Sequence, residues 1–181
     1  MTDAESGFDR LYLDATVLAH LAVADVVDVV PETVENPRTS YAVRAELDAG
    51  VDAGFDSLTR ALDGLSDPLD TSSAGGITVA GSLVRQRKPE FFDRLATGEA
   101  SVLYQAWAAG VPLATDDRDV RAVASSYGVH TTGTVGLVAR AVERDALSLE
   151  AADAALTTWR DRDVSVPVDS IRELVDGTEQ S

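Results

Sequence analysis

The chain has 181 residues, of which 45% are hydrophobic, and it carries a formal net charge of −16. This length and apolar content suit one domain with one ordinary core. Cysteine is absent, which excludes disulfides, thiolate metal sites and cysteine nucleophiles, and only two histidines, His20 and His130, argue against a histidine-rich metal site or a conventional serine triad.

No apolar run approaches the roughly 18 residues that a membrane span needs. The first residues are acidic and lack the basic and apolar regions of a signal peptide, so we expect a cytoplasmic protein.

The acidic excess needs an explanation, because a protein that acts on a polyanion normally carries the opposite charge. There are 31 Asp and Glu residues against 15 Lys and Arg, the acids are scattered, and Lys88 is the only lysine. This pattern is typical of proteins from a halophilic cytoplasm, and an acid-rich partner-binding surface is the alternative. At about 1 M salt the Debye length falls to roughly 3 Å, so the net charge does not exclude an RNA substrate.

In chain order, the first half reads as one strand followed by helices. We predict a strand over 11–14, a helix over 16–24 and further helical structure over 26–30, which Pro31 and Pro37 interrupt. Ser40 offers an N-cap for a helix that carries Glu46, and a second helical pattern covers 55–65. Residues 66–76 then read as a loop and 77–80 as a strand.

The second half alternates helices with short strands. We predict helices over 89–95, from Gly98 onward, over 118–126 and over 134–144, with strands over 111–115 and 129–132. Such alternation favours right-handed crossovers and a parallel sheet with helices on both sides, which is an α/β fold. We divide the chain into a domain over 1–146 and a helical extension over 147–181, with helices over 149–159 and 170–175, packed on the same domain.

Four acid-bearing segments stand out within these elements. Asp14 and the pair Asp116 and Asp117 come at the ends of strands, where ligand sites of open α/β sheets form. Glu46 and Glu99 lie on or beside apolar helix stripes rather than on solvent-facing positions. If the fold brings these carboxylates together, Mg²⁺ or Mn²⁺ is the expected compensating charge.

The ordered set of motifs resembles the PIN-domain family. The resemblance is closest to the branch in which the third acid occurs in a Gly-Glu-Ala segment and a Gly-Thr turn follows the fourth. The matching stretches span about residues 11 to 145 and are LDATVL at 13–18, SYAVRAEL at 40–47, GEAS at 98–101, TDDRDVR at 115–121 and GTVGL at 133–137.

The resemblance implies a three-layer α/β/α fold and a metal-dependent ribonuclease, often the toxin of a VapBC-type pair. Asp14, Glu46 and Glu99 match the first three family acids, and Asp117, or Asp116 beside it, matches the fourth. Thr16 matches the small polar residue that supports the first acid. The implied partners are RNA, an antitoxin protein and, since PIN domains often dimerise, a second copy of the chain.

Phosphodiester hydrolysis by divalent ions suits these residue types. In this reading Asp14 and Asp117, or Asp116, are the principal metal ligands, Glu99 holds a second ion or orients water, and Glu46 holds the cluster together. We assign substrate binding to a further set, in which the Gly133-Thr134 turn presents backbone N–H groups to a phosphate. The set is Thr16, Thr115, Gly133 and Thr134.

Simpler readings compete with several of these assignments. In the first, one of Asp116 and Asp117 binds the metal and the other only caps the helix that begins near Arg118. In the second, Thr134 is the N-cap of its helix and does not contact a phosphate. The basic cluster over 85–88 either contacts RNA phosphates or is a solvated loop. We expect both histidines to be packed rather than catalytic, and Trp107 and Trp159 to fill core or interface positions.

Two other functions remain open on the sequence. One is a PIN-like module that keeps the fold, cleaves poorly and acts through a protein partner. The other is a metal-dependent hydrolase or phosphatase with a similar acidic cluster.

Overall fold

Among the residues that the computed structural model describes, a four-stranded parallel sheet with strand order β2-β1-β3-β4 forms the centre. The structure describes residues 8–63, 65 and 84–178. Its strands are β1 (Phe8–Leu13), β2 (Val34–Arg38), β3 (Leu113–Ala114) and β4 (Thr131–Thr132). Each strand pairs in parallel with its neighbour, which confirms the predicted α/β class.

Helices flank this sheet, and most of them lie where the sequence predicts. The α-helices are α1 (Ala15–Val23), α2 (Val29–Thr33), α3 (Tyr41–Asp52), α4 (Ser57–Asp63), α5 (Thr97–Ala109), α6 (Arg118–Ser126), α7 (Thr134–Glu143), α8 (Leu149–Arg160) and α9 (Arg172–Thr178). Residues 84–87 are also helical. Side-chain caps set two of the starts, because Ser40 accepts from Val43 N at 3.2 Å and Ser148 accepts from Ala151 N at 3.1 Å.

The helical structure predicted over 26–30 is present only at Val29 and Val30, and the role given to Pro31 and Pro37 was wrong. Helix α1 stops at Val23, and Pro31 lies in the first turn of α2, where its missing N–H costs no helical hydrogen bond. Pro37 does not break the chain either. It lies in β2 and pairs with Leu11 on the edge of the sheet, the place where a strand tolerates proline.

Other boundaries also differ from the prediction. Pro89 opens a 3₁₀ helix (Pro89–Asp93) rather than an α-helix, and β3 and β4 are two residues each. Phe55 precedes α4 and is 62% exposed. The predicted loop over 66–76 and strand over 77–80 lie outside the described residues.

The last helices pack on the same core as the sheet. Trp159 of α8 is 1% exposed, and its Nε1 donates to the carbonyl of His20 in α1 at 2.8 Å. Trp107, by contrast, is 37% exposed. The buried side chains form one continuous cluster.

In the part of the chain that the structure describes, no helix is long and apolar enough to cross a membrane.

Candidate active site

The carboxyl ends of β1 and β3 bring Asp14 and Thr115 side by side. The two strands pair with Leu13 opposite Ala114, and Asp14 N donates to Ala114 O at 3.0 Å. Since parallel strands end at the same edge, the residues that follow them lie together. Asp14 also caps α1, and it is 2% exposed.

Three donors hold the Asp14 carboxylate. Ala15 N donates to Oδ1 at 2.8 Å, while the hydroxyls of Thr115 and Thr16 donate to Oδ2 at 2.8 and 3.4 Å. Burial nevertheless raises the pKa of Asp14, with a further contribution from the charge of Glu99, and the hydrogen bonds only partly offset these effects. The site therefore disfavours a charged Asp14 when no cation is present.

Glu46 and Glu99 approach this carboxylate from α3 and α5. The Glu46 carboxyl group packs against Gly98, so closely that a Cβ on Gly98 would contact Oε1 and lie 3.1 Å from Cδ. Partial burial raises the pKa of Glu46, and so do the charges of Asp14 and Glu99. Glu99 Oε2 accepts from Ala96 N at 2.8 Å, which fixes Glu99 in the first turn of α5.

No described cation forms an ion pair with Asp14, Glu46 or Glu99. Carboxylate oxygens are the ligands that Mg²⁺ and Mn²⁺ prefer, so the donor set fits such an ion. Within residues 8–63, 65 and 84–178, however, no three such side chains already have the arrangement of a metal cage. An ion would have to draw these carboxylates together.

Asp117 joins the site through the backbone and caps a helix with its side chain. Its N–H donates to Thr115 Oγ1 at 3.2 Å, so one hydroxyl links Asp14 and Asp117. Oδ1 accepts from Asp119 N at 2.7 Å and from Val120 N at 2.9 Å, which starts α6. The capping role is therefore observed for Asp117, while its Oδ2 makes no hydrogen bond to the described residues.

Asp116 faces a different set of partners. His20 Nδ1 lies 2.8 Å from Oδ2, Thr134 N donates to Oδ1 at 3.0 Å, and the Thr134 hydroxyl donates to Oδ2. Arg121 Nη2 lies 4.0 Å from Oδ1. Although burial acts to raise it, the pKa of Asp116 is lowered by the hydrogen bonds from His20 and Thr134. Both oxygens of Asp116 are thus occupied by the protein.

His20 is the site residue that sequence reasoning missed. We expected a packed side chain, yet its ring is bonded to Asp116 and is a quarter exposed. A usable signal existed, because Thr16 and His20 are four residues apart on α1 and so share the helix face that follows Asp14. The expectation was also wrong for His130, which is exposed.

The predicted substrate-binding residues occupy varied positions. Thr16 is exposed, whereas Thr115 has no exposed surface and uses its hydroxyl on Asp14. Gly133, not Thr134, is the N-cap of α7, so that expectation for Thr134 was wrong. Thr134 is 2% exposed and turned toward Asp116. Thr115 and Thr134 are thus placed to position carboxylates.

The basic cluster is not simply a solvated loop. Lys88 Nζ lies 4.5 Å from the ring centre of Trp107 and 4.7 Å from that of Tyr127, and 3.4 Å from Glu90. Arg85 stacks over Phe92 at 3.9 Å. These cations cover aromatic surface.

Comparison with known proteins identifies the family. No curated protein and no solved structure matches the chain. A family model described as a PIN domain matches residues 11–180, nearly the whole length, and confirms the resemblance read from the motifs. PIN domains are generally nucleases and typically use divalent metal ions. The chain therefore belongs to the PIN-domain family.

Proposed function

We propose that the protein is a Mg²⁺- or Mn²⁺-dependent endoribonuclease. The observation that carries this proposal is the group of Asp14, Glu46 and Glu99 at one sheet edge, where burial and the charge of neighbouring carboxylates raise the pKa of Asp14 and of Glu46. Natural proteins keep charged groups in such unfavourable surroundings at sites where function requires them. A divalent ion is the partner that would stabilise the charged form of all three.

Some of the site residues would bind the metal, and others would hold those ligands in position. Asp14, Glu46, Glu99 and the unbonded Oδ2 of Asp117 would hold the ion or ions. When bound, the metal neutralises phosphate charge and makes a water nucleophilic at neutral pH. Thr115 and the N–H of Ala15 fix the orientation of Asp14, and Ala96 N fixes Glu99. His20 and Thr134 hold Asp116 in a supporting position beside the ligands.

Digestion of defined RNAs tests the proposal. Structured and single-stranded RNAs are incubated in high KCl with Mg²⁺, with Mn²⁺ or with EDTA. We expect cleavage only with metal, and a loss of at least about a hundredfold for Asp14→Asn and Glu99→Gln. Glu143→Gln, an exposed acid at the end of α7, is the matched control. Cleavage that EDTA leaves unchanged, or that Glu99→Gln leaves intact, would reject the mechanism.

Two observations favour a second candidate, the catalytically weak interaction module. The capping bonds of Asp117 and the absence, among the described residues, of three side chains preset as a metal cage suit a fold kept for binding. This candidate predicts no cleavage with either metal and co-purification with a protein partner.

The toxin role is a finer part of the same proposal. It predicts that expression of the chain stops growth, that Asp14→Asn relieves this effect, and that an adjacent gene encodes an antitoxin. Growth inhibition that persists in Asp14→Asn would separate any toxicity from the nuclease.

A further inference from the structure

A cleft opens beside the acidic cluster, on the side of the edge strand β4. It has a volume of about 530 Å³, within the usual range for small-ligand sites. One wall is the first turn of α6, the second is β4 with the start of α7, and the third is the segment over 165–174. The cleft shares Asp116 with the candidate active site, so a ligand in it would lie next to this carboxylate.

Two arginines supply positive charge to this cleft. Arg121 is fixed, because its Nη2 donates to Thr132 O at 3.0 Å and lies against the Cα of Gly133, where a Cβ would collide with it. Arg118 is exposed, and its guanidinium makes no hydrogen bond or ion pair with the rest of the described chain. Arg121 also lies 4.0 Å from Asp116 Oδ1, so Asp116 partly compensates its charge, and Arg118 adds a second positive charge that no described residue compensates. In a chain of net charge −16, two cations at this position indicate an anionic ligand.

The remaining lining is apolar with a few hydroxyls. Val135, Pro167 and Leu174 offer flat aliphatic surface, and Thr131 and Ser165 offer hydrogen-bonding groups. The negative charge of Asp116 is already shared with His20 and Thr134, so it opposes an anion less than a bare carboxylate would. An aliphatic wall beside two arginines matches a base joined to a phosphate.

We propose that this cleft binds one nucleotide of single-stranded RNA next to the cleaved bond, with its phosphate on Arg118 and Arg121 and its base against the aliphatic wall. The inference rests on the proposed function, since it names a subsite for the same substrate. A single strand is required because the base must leave its stack to enter the cleft.

Binding of labelled RNA tests this subsite separately from cleavage. Fluorescein-labelled eight-nucleotide RNAs (U8 and A8) are titrated into the full chain in EDTA over a KCl series. Arg118→Ser should weaken binding about tenfold, the size expected for one charge-assisted contact. It should also lower the slope of log affinity against log salt by about 0.7, because one phosphate contact to a single strand is lost.

The control variant is Arg144→Ser, which removes the same charge from an exposed residue at the other end of α7. In this variant the plot of log RNA affinity against log salt should have the wild-type slope. As a second readout, methyl resonances of Val135 and Leu174 should shift on addition of AMP or UMP, and less so in Arg118→Ser.

The outcomes separate this inference from the proposed function. RNA binding that depends on Arg118, in a protein that no metal makes active, supports the subsite and rejects the nuclease. Wild-type affinity and slope in Arg118→Ser, with cleavage still abolished by Glu99→Gln, reject the subsite and keep the nuclease. An acidic peptide that shifts the same methyl resonances when RNA does not would also overturn the inference and mark the cleft as a protein-binding groove.

Discussion

The imidazole of His20 lies 2.8 Å from the carboxylate of Asp116, a residue 96 positions further along the chain. This contact joins α1 to the end of β3. Thr134 at the start of α7 bonds the same carboxylate, and Trp159 of α8 bonds the His20 carbonyl at 2.8 Å. One partly buried polar network thus connects the sheet edge to three helices.

We predict that His20→Ala destabilises the protein by about 1–3 kcal/mol, because the Asp116 carboxylate would stay partly buried and lose a hydrogen-bond partner. The measurement is the free energy of unfolding from urea titration at neutral pH. His130→Ala is the control, since His130 is exposed, and it should change stability by less than about 0.5 kcal/mol. Equal effects of the two substitutions would show that the His20–Asp116 contact contributes nothing.

The sequence predicted the order of the site acids because each is tied to a local signal. Asp14 and Asp117 follow apolar strands and also serve as helix N-caps, so their positions can be read from a few neighbouring residues. Glu46 and Glu99 follow from helical phase in the same way. Local signals therefore indicated where each acid lies in its own strand or helix, whereas the approach of Glu46 and Glu99 to Asp14 depends on the packing of α3 and α5.

Long-range partners could not be read in this way. The contacts His20–Asp116 and Trp159–His20 join segments whose relative position depends on the whole packing. Helical spacing places His20 on the face of α1 that follows Asp14, but it does not identify Asp116 as its partner. Strand β2 was missed for a similar reason, because Pro31 and Pro37 act as breakers unless one knows that they lie in a first helical turn and on an edge strand.

A second prediction concerns pH and Glu46. The pKa of Glu46 is raised in the folded protein, so stability is lost as pH rises from the unfolded value, near 4.5, through the folded value. Glu46→Gln removes this loss. We expect it to stabilise the protein at pH 7.5 by no more than about 1 kcal/mol, since the group is partly exposed and screened.

The test is the difference in urea midpoint between Glu46→Gln and wild type from pH 7.5 down to pH 4.5. The advantage should shrink as the pH falls, and high KCl should reduce it. Glu143→Gln serves as the exposed control and should show no such trend. A constant difference at all pH values would contradict the burial and repulsion of a charged Glu46 as its cause.

Metal binding should stabilise the folded chain. Because the ion relieves repulsion among Asp14, Glu46 and Glu99, Mg²⁺ or Mn²⁺ at a hundred times its dissociation constant should add about 2.7 kcal/mol, seen as a rise in Tm that EDTA reverses. Asp14→Asn should abolish the rise, whereas Asp119→Asn, at an exposed acid that pairs with Arg94, should retain it. An equal rise in both variants would place the bound metal elsewhere.

Gly98 provides a test in which stability and activity separate. A Cβ at this position would strike the end of the Glu46 side chain, which can swing away, so Gly98→Ala should fold with a stability within about 1 kcal/mol of wild type. Displacing Glu46 by about 1 Å should nevertheless lower RNA cleavage by about a hundredfold. Gly177→Ala in α9 is the matched control, because a Cβ there meets nothing within 4 Å. If Gly98→Ala cleaves RNA as fast as Gly177→Ala, the position of Glu46 against Gly98 is not needed for catalysis, and Glu46 leaves the proposed ligand set.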